Sequence, residues 1–426
     1  MEYSRNRYGF RQVFSEREVR VKKILFVQWN AFMQKGMENA LRRLKGKLNI
    51  EYENFFYDFK DWDNDNVFCR LFEKKLMGGK ITDKERGAKG AFQSGKASEY
   101  DAVLTVNFSP LISDVCEKYN VRYISWVYDC PLHIRRTKSL FNECNRIFFF
   151  DRVQAETYKK QGVAGAGHLV LAADTSIYDE VMLDNTDQER YGCDISLVGK
   201  LYKSDFAYLC GPLPQYWRGY LEGLISAQSQ IYGGYILGEM IDDKLMEELN
   251  KVYRSSGGSS AQVLKEELEF AMNCEITGRE RYMALALLSG RHKVNVYTSD
   301  KNEGLPNAHF GGYLDYYTQM PKAFKACKIN LNISLKAIQT GIPLRVLDVL
   351  ACKGFLITNW QEEIAENFVD GEELVMYSDV KDLVAKADYY LKHDEERTAI
   401  AEAGYKKVKE LFTFDRQMEE MLAASL

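Results

Sequence analysis

Short apolar runs along this chain alternate with longer stretches whose apolar positions recur every three or four residues. The short runs predict strands buried on both faces, and the longer stretches predict amphipathic helices. In the first part of the chain the runs fall at 22–29, 50–56, 102–106, 122–127, 146–150 and 168–171, and helical patterns fall at 36–47, 67–76, 110–119 and 153–160. A polar stretch at 184–191 interrupts the alternation. Beyond it come a strand at 193–198 and a long helical region at 203–289, broken at 232–234 and 255–260. Strands then recur at 293–297, 310–313, 329–333, 355–358 and 373–377, and helices at 315–327, from Pro343, and at 380–391, 395–411 and 414–424. Strands alternating with helices of these lengths predict an α/β chain of two doubly wound parallel sheets. The expected organisation is an N-terminal extension (1–20), a first Rossmann-like domain (21–180), a second (181–410) carrying a helical insert (203–289), and a C-terminal helix (411–426).

The stretch 330–359 carries the strongest local signal. It reads as strand, glycine loop, helix and strand, with Gly341 in the loop and Pro343 at the helix start, where a missing N–H costs nothing. A helix N-terminus offers free amides and partial positive charge to a phosphate, and Gly341 permits close approach. Arg345 and Asp348 are three apart and share a helix face. An arginine pairs with a diphosphate and a carboxylate accepts from ribose hydroxyls. The competing reading is a surface ion pair worth little.

In doubly wound sheets, ligands bind beyond the carboxyl ends of the strands. The polar residues there in the first domain are Asn30, Asn107, Asp129 and Asp151. Each contacts a ligand or, as is commoner, caps the next helix. A net charge of −4 gives no support for nucleic-acid binding. The nine cysteines form no C-x-x-C pair, which reads as reduced thiols and argues against a disulfide framework or zinc site. No apolar run is long enough to span a bilayer, and residues 1–20 are too charged for a secretion signal, so a cytoplasmic protein without transmembrane segment is expected.

An ordered series of motifs adds a family resemblance. Tyr313-Leu314-Asp315-Tyr316, Met320-Pro321-Lys322, Ile329 to Ser334, Gly341 to Asp348 and Tyr389-Tyr390-Leu391 resemble the spore maturation protein CgeB family, among the group 1-like glycosyltransferases of GT-B fold. Trp126 to Pro131, the hinge Ala172-Ala173-Asp174-Thr175 and Leu197 to Lys200 fit the same family, so the resemblance covers roughly residues 100 to 420. It implies a bacterial glycosyltransferase, of hexosyl or N-acetylhexosaminyl type, with two domains facing a cleft. A nucleoside diphosphate sugar, UDP-linked by analogy with the wider class, would be donor and co-substrate. The acceptor would be a protein or a surface glycan, and no cofactor or metal-binding DxD motif is implied. The donor site implied comprises Gly199, Lys200, Lys203, Tyr313, Leu314, Asn332, Ser334, Gly341, Ile342, Arg345 and Asp348. Asp348 would hold the ribose, and Lys200, with Lys203 as second choice, would lie near the diphosphate. Gly341 stands where related enzymes carry a glutamate that touches the sugar, a departure that leaves sugar recognition unassigned.

Asp129 is the candidate general base if the anomeric centre inverts, with His133 as second choice. If configuration is retained, Asp129 positions the acceptor; its other reading is a structural cap of the Pro131 turn. Asn30, Asn107 and Asp151 complete the acceptor side. The Tyr-rich insert reads as a packed helical subdomain rather than a sugar-stacking platform. Two other functions fit the same scaffold: an epimerase-type nucleotide-sugar enzyme, and a binding module without catalysis.

Overall fold

A computed structural model describes residues 21–81, 97–257, 262–301 and 304–426; the expected extension at 1–20 lies outside them. The chain divides into two compact units, 1–174 with 411–426, and 175–410. The division falls in the Ala172–Thr175 hinge rather than at 180, and the last helix belongs to the first unit.

The first unit runs β1 (Lys22–Gln28), α1 (Gln34–Leu44), β2 (Ile50–Phe56), α2 (Asn66–Leu76), β3 (Ala102–Val106), α3 (Pro110–Lys118), β4 (Arg122–Val127), β5 (Asn145–Phe149), α4 (Arg152–Lys160) and β6 (Ala166–His168). Its parallel sheet has the order β2-β1-β3-β4-β5-β6. Every residue of β3 is buried, as a central strand covered by helices on both faces demands. The sixth strand lies earlier than the apolar run at 168–171 suggests. Leu169 and Leu171 are buried, but regular pairing with β5 ends at Phe149–His168. That run records burial of the chain leaving the sheet.

The second unit opens with α5 (Thr175–Asp179), α6 (Asn185–Tyr191) and β7 (Ile195–Val198). The insert follows as α7 (Phe206–Cys210), α8 (Gln215–Ser229), α9 (Leu237–Met240), α10 (Asp243–Gly257) and α11 (Lys265–Ser289). Then come β8 (Val294–Tyr297), β9 (His309–Phe310), α12 (Met320–Ala326), β10 (Ile329–Asn332), α13 (Leu344–Ala351), β11 (Leu356–Asn359), α14 (Glu362–Asn367), β12 (Val375–Tyr377), α15 (Val380–Tyr390) and α16 (Asp394–Leu411). The parallel order is β12-β11-β10-β7-β8-β9, so the winding reverses between β7 and β10. The insert has its own core around Leu221, Leu249, Leu268 and Met272, whereas Tyr208 and Tyr216 on its surface are exposed.

Local polar chemistry moves two element boundaries. The polar stretch at 184–191 forms α6, because Asp184 and Asp187 make a reciprocal capping box. The helix expected from 315 starts only at Met320, because the Asp315 carboxylate accepts from the amides of Tyr317 and Thr318 and holds a turn there. The last helix, α17 (Phe414–Ser425), packs against α1 in the first unit. Gly36 permits this: a Cβ there would sit 2.3 Å from the Phe414 ring.

Candidate functional site

The reversal of winding in the second unit places the carboxyl ends of β7 and β10 side by side, the position at which such sheets bind ligands. After β7 the chain enters Gly199 with φ of +146°, a conformation that favours glycine, and continues to an exposed Lys200. After β10, Asn332 and Ser334 are buried. The Asn332 amide donates to Ser334 Oγ and Thr358 Oγ1, both at 2.9 Å, and Ser334 Oγ donates to Gln361 Oε1 at 2.8 Å. These two predicted donor residues therefore tie the ends of β10 and β11 together. They shape the floor of the site and keep their polar atoms occupied.

The loop from Ser334 leads through buried Gly341 and Ile342 to α13. Pro343 is the N-cap of this helix, one position before the expected first turn, and no side chain caps it. Within its first turn the Val346 amide donates to the Pro343 carbonyl at 3.0 Å, and no side chain supplies a cap. Arg345 projects from that turn. Its guanidinium lies 3.3 Å from Asp348 Oδ2 and over the Phe324 ring at 5.3 Å.

Asp348 itself is only 1% exposed. Its Oδ1 accepts from Tyr178 at 2.8 Å and from Tyr316 at 2.7 Å. Burial pushes its carboxyl above the ordinary value, against the opposing pull of Arg345 and the two tyrosines. Neither the ribose contact nor the surface ion pair expected from sequence describes this geometry. A ribose ligand needs an accessible oxygen, and a surface pair needs solvent. Asp348 instead fixes Arg345 and joins α13 to α5 and the segment before α12.

Sequence reasoning missed Arg281. It lies in the middle of α11, is 7% exposed, and reaches across both strand ends. Its Nε donates to the Ile333 carbonyl at 3.0 Å, and its terminal nitrogens donate to the carbonyls of Ile333 and Lys200. It also stacks over Tyr202 at 4.8 Å. No carboxylate among the described residues pairs with it. Burial and the nearby Arg345 charge both lower its hold on the proton. Buried charge is normally satisfied by hydrogen bonds, and here the backbone carbonyls of Ile333 and Lys200 play that part at the ends of β7 and β10. The only hint in the sequence is an arginine on the buried face of a helix. Lys203 is exposed beyond Lys200; Tyr313 is 67% exposed beyond β9, and Leu314 beside it is buried.

At the carboxyl edge of the first unit, neighbouring strands β3 and β4 bring two predicted residues together. Asn107 takes a positive φ of 56°, accepts from the Tyr128 amide at 2.9 Å, and donates to Asp129 Oδ2 at 2.8 Å. Asp129 and His133 are exposed. Asp151 is buried and accepts from the Gln154 amide at 2.8 Å as N-cap of α4, which corrects its placement on the acceptor side. Asn30 is exposed after β1. Near it lies an aromatic cluster not foreseen from sequence: Phe59 stacks on Trp62 at 4.5 Å, and Trp29 meets Trp62 edge-on at 4.9 Å. Among the described residues no three acidic, histidine or cysteine side chains gather at a possible metal site, and no helix is long and apolar enough to cross a membrane.

Residues 265–423 match the family described as "Glycosyl transferase-like". The spore protein CgeB of Bacillus subtilis (strain 168) is 25% identical over 167 residues, which cover 39% of this chain and 50% of that protein. The chain therefore spans about half the length of this curated relative. Among solved structures, similarity extends to a UDP complex of Anabaena HepE (TM-score 0.49, 11% identity, 95% of this chain and 100% of that one). It extends also to sucrose-phosphate synthase from Thermosynechococcus elongatus (TM-score 0.48, 10% identity, 94% and 98%). These structural likenesses are distant; the two doubly wound units and the returning C-terminal helix define the fold by their own topology.

Proposed function

We propose that this chain is a glycosyltransferase that moves a sugar from a nucleoside diphosphate sugar to an acceptor hydroxyl. The observation that carries this reading is Arg281, a buried cation held by the backbone carbonyls of Ile333 and Lys200 at the ends of β7 and β10. Arg345, exposed Lys200 and the uncapped start of α13 belong to the same carboxyl edge. Together they suit a diphosphate. As the bond to the anomeric carbon breaks, negative charge grows on the leaving nucleoside diphosphate. Fixed cations and amides stabilise that charge without reorganising, so a divalent ion is not needed in this mechanism. The Glycosyl transferase-like family match over 265–423 supports the same chemistry.

In this reading the first unit supplies the acceptor side. Asn107 donates to one oxygen of Asp129, an exposed carboxylate that would take the acceptor proton in an inverting transfer. Asp348 is a positioning residue that keeps Arg345 in place. The nucleotide is UDP, by analogy with the wider class, and the acceptor is a protein or surface glycan.

The test is to incubate the protein with UDP-, GDP- and ADP-linked sugars in EDTA and follow nucleotide release and product. The expected outcome is release of one nucleoside diphosphate with the sugar transferred or hydrolysed, reduced at least about tenfold in Asp129→Asn for transfer to acceptor. No release or binding with any donor contradicts the reading. So does conversion of the donor to its epimer, and a strict requirement for added divalent ion contradicts the metal-independent mechanism.

A further inference from the structure

The aromatic cluster at the carboxyl edge of the first unit is held in place as a surface. Trp29 follows β1, and Phe59 and Trp62 lie on the loop between β2 and α2. Trp29 and Phe59 are partly buried and pack onto the core of the first unit, whereas Trp62 is 44% exposed. The loop beneath it is tied down. Tyr57 donates to Asp65 at 3.0 Å, and Asp65 caps α2 through the Phe68 amide at 2.8 Å. The Asp61 carboxylate accepts from the amides of Asp63 and Asn64 at 2.9 and 3.2 Å. A fixed turn therefore presents the indole to solvent.

Two links join this ring to the residues placed on the acceptor side. Arg136, beyond His133, donates to the Asp63 carbonyl at 3.4 Å, so the Trp62 loop meets the chain that follows β4. Phe32, on the loop after β1, is 42% exposed and lies 6.0 Å from the ring of Tyr128, the neighbour of Asp129. Met33 beside it takes a φ of +68°. A side chain as bulky as methionine rarely adopts that backbone, and such strain gathers at ligand sites. Only β3 stands between β1 and β4, so two strand spacings, roughly 10 Å, separate their ends. That is the reach of a short saccharide.

The size of the patch selects its occupant. Trp62 and Phe32 offer roughly 200 Å² of exposed aromatic surface. A stable protein interface takes about 800 Å² from each partner, so a protein or a second copy would find too little apolar area here. Exposed Asn30, Asp61 and Asn64 lie in the same loops as the rings and add amide and carboxylate groups. This combination matches a sugar, whose C–H faces pack on aromatic rings and whose hydroxyls need polar partners.

We propose that this surface binds the acceptor as a saccharide, with one sugar ring on Trp62 and the next reaching Asp129. The proposal rests on the transferase reading above and narrows its acceptor from protein or glycan to glycan.

The experiment is saturation-transfer NMR of wild type, Trp62→Leu and Trp62→Phe with cellobiose, maltose, chitobiose and methyl β-galactoside, and separately with a pool of serine- and threonine-containing peptides. Melting temperature checks the fold of each variant, and calorimetry of wild type with UDP, GDP and ADP tests the donor reading by itself. Expected is transfer to the ring C–H protons of at least one saccharide, reduced at least about fivefold in Trp62→Leu, largely kept in Trp62→Phe, and none to the peptides. Transfer to no saccharide, saccharide binding that Trp62→Leu leaves unchanged, or Trp62-dependent binding of peptides overturns the proposal. So does a wild-type dimer in analytical ultracentrifugation that Trp62→Leu dissociates, because a second copy would then be the occupant. If a nucleoside diphosphate binds and no saccharide does, the donor reading stands alone. If a saccharide binds through Trp62 and no nucleotide does, the saccharide site stands and the donor reading falls. If neither binds, both fall.

Discussion

Asp348 shows how much a residue's meaning depends on its surroundings. In sequence it shares a helix face with Arg345, and that pairing is present at 3.3 Å. What spacing could not reveal is that Tyr178 and Tyr316, distant in sequence, occupy the other oxygen and that solvent is excluded. This has a consequence for stability. Burial holds the Asp348 carboxyl above its ordinary value of 3.8. Just above that pH the folded chain therefore binds more protons than the unfolded chain, and stability falls as pH rises through the window. Asp348→Asn has no such titration. The melting temperature of wild type minus that of the variant should decrease from acid to neutral pH, and a flat difference would count against the burial argument. Arg281 is the opposite case, a buried residue at the ends of β7 and β10 that was invisible beforehand. Its partners are backbone carbonyls of Ile333 and Lys200, which leave no trace in side-chain patterns. Arg281→Met should weaken nucleotide binding by at least about tenfold, since charge-assisted bonds are worth roughly 1.5–3 kcal/mol. Thermal denaturation of the same variant would show whether the fold survives.

At the scale of elements, strands were the legible part because a central strand of a parallel sheet is buried on both faces and must be apolar throughout. β3 is buried along its whole length, and β1 and β4 are buried beyond their basic first residues. The rule fails where burial and pairing separate. The buried stretch after β6 is apolar yet lies outside the regular ladder, and α6 is polar yet helical because its capping box supplies what periodicity does not. The insert was legible as helical, but its loop at 232–235 was legible only as a break. In the structure that loop is seated by Gly233, at φ of +77°, under Trp360, where a Cβ would sit 1.9 Å from the indole. Gly233→Ala should therefore cost about 1–3 kcal/mol, from the positive φ together with the clash. Urea denaturation would give that figure, and altered Trp360 fluorescence should report displacement of the loop. A neutral substitution would mean the loop is not seated as described.

For the molecule as a whole, two doubly wound parallel sheets were predictable from alternation alone, whereas the return of the last helix to the first unit was not. Nothing in the α17 sequence points to α1; the match is between Phe414 and the space left by Gly36, with Arg43 and Asp415 paired 2.5 Å apart. Phe414 also meets Trp126 edge-on at 5.8 Å. Phe414→Ala should destabilise the first unit by about 3–5 kcal/mol, read as an earlier transition in denaturant. A chain built from two sheets, one carrying an anion-ready edge, is the setting in which a nucleotide-sugar transferase reading makes physical sense. The most direct test is a calorimetric titration of wild type and Lys200→Ala with UDP, GDP and ADP. Lys200 is exposed, so its replacement leaves folding intact while removing a cation from the edge. The account predicts that one nucleoside diphosphate binds wild type and binds the variant several-fold more weakly, with the difference shrinking at high salt. Failure of all three to bind, or binding that Lys200→Ala leaves unchanged at low and high salt, would contradict it.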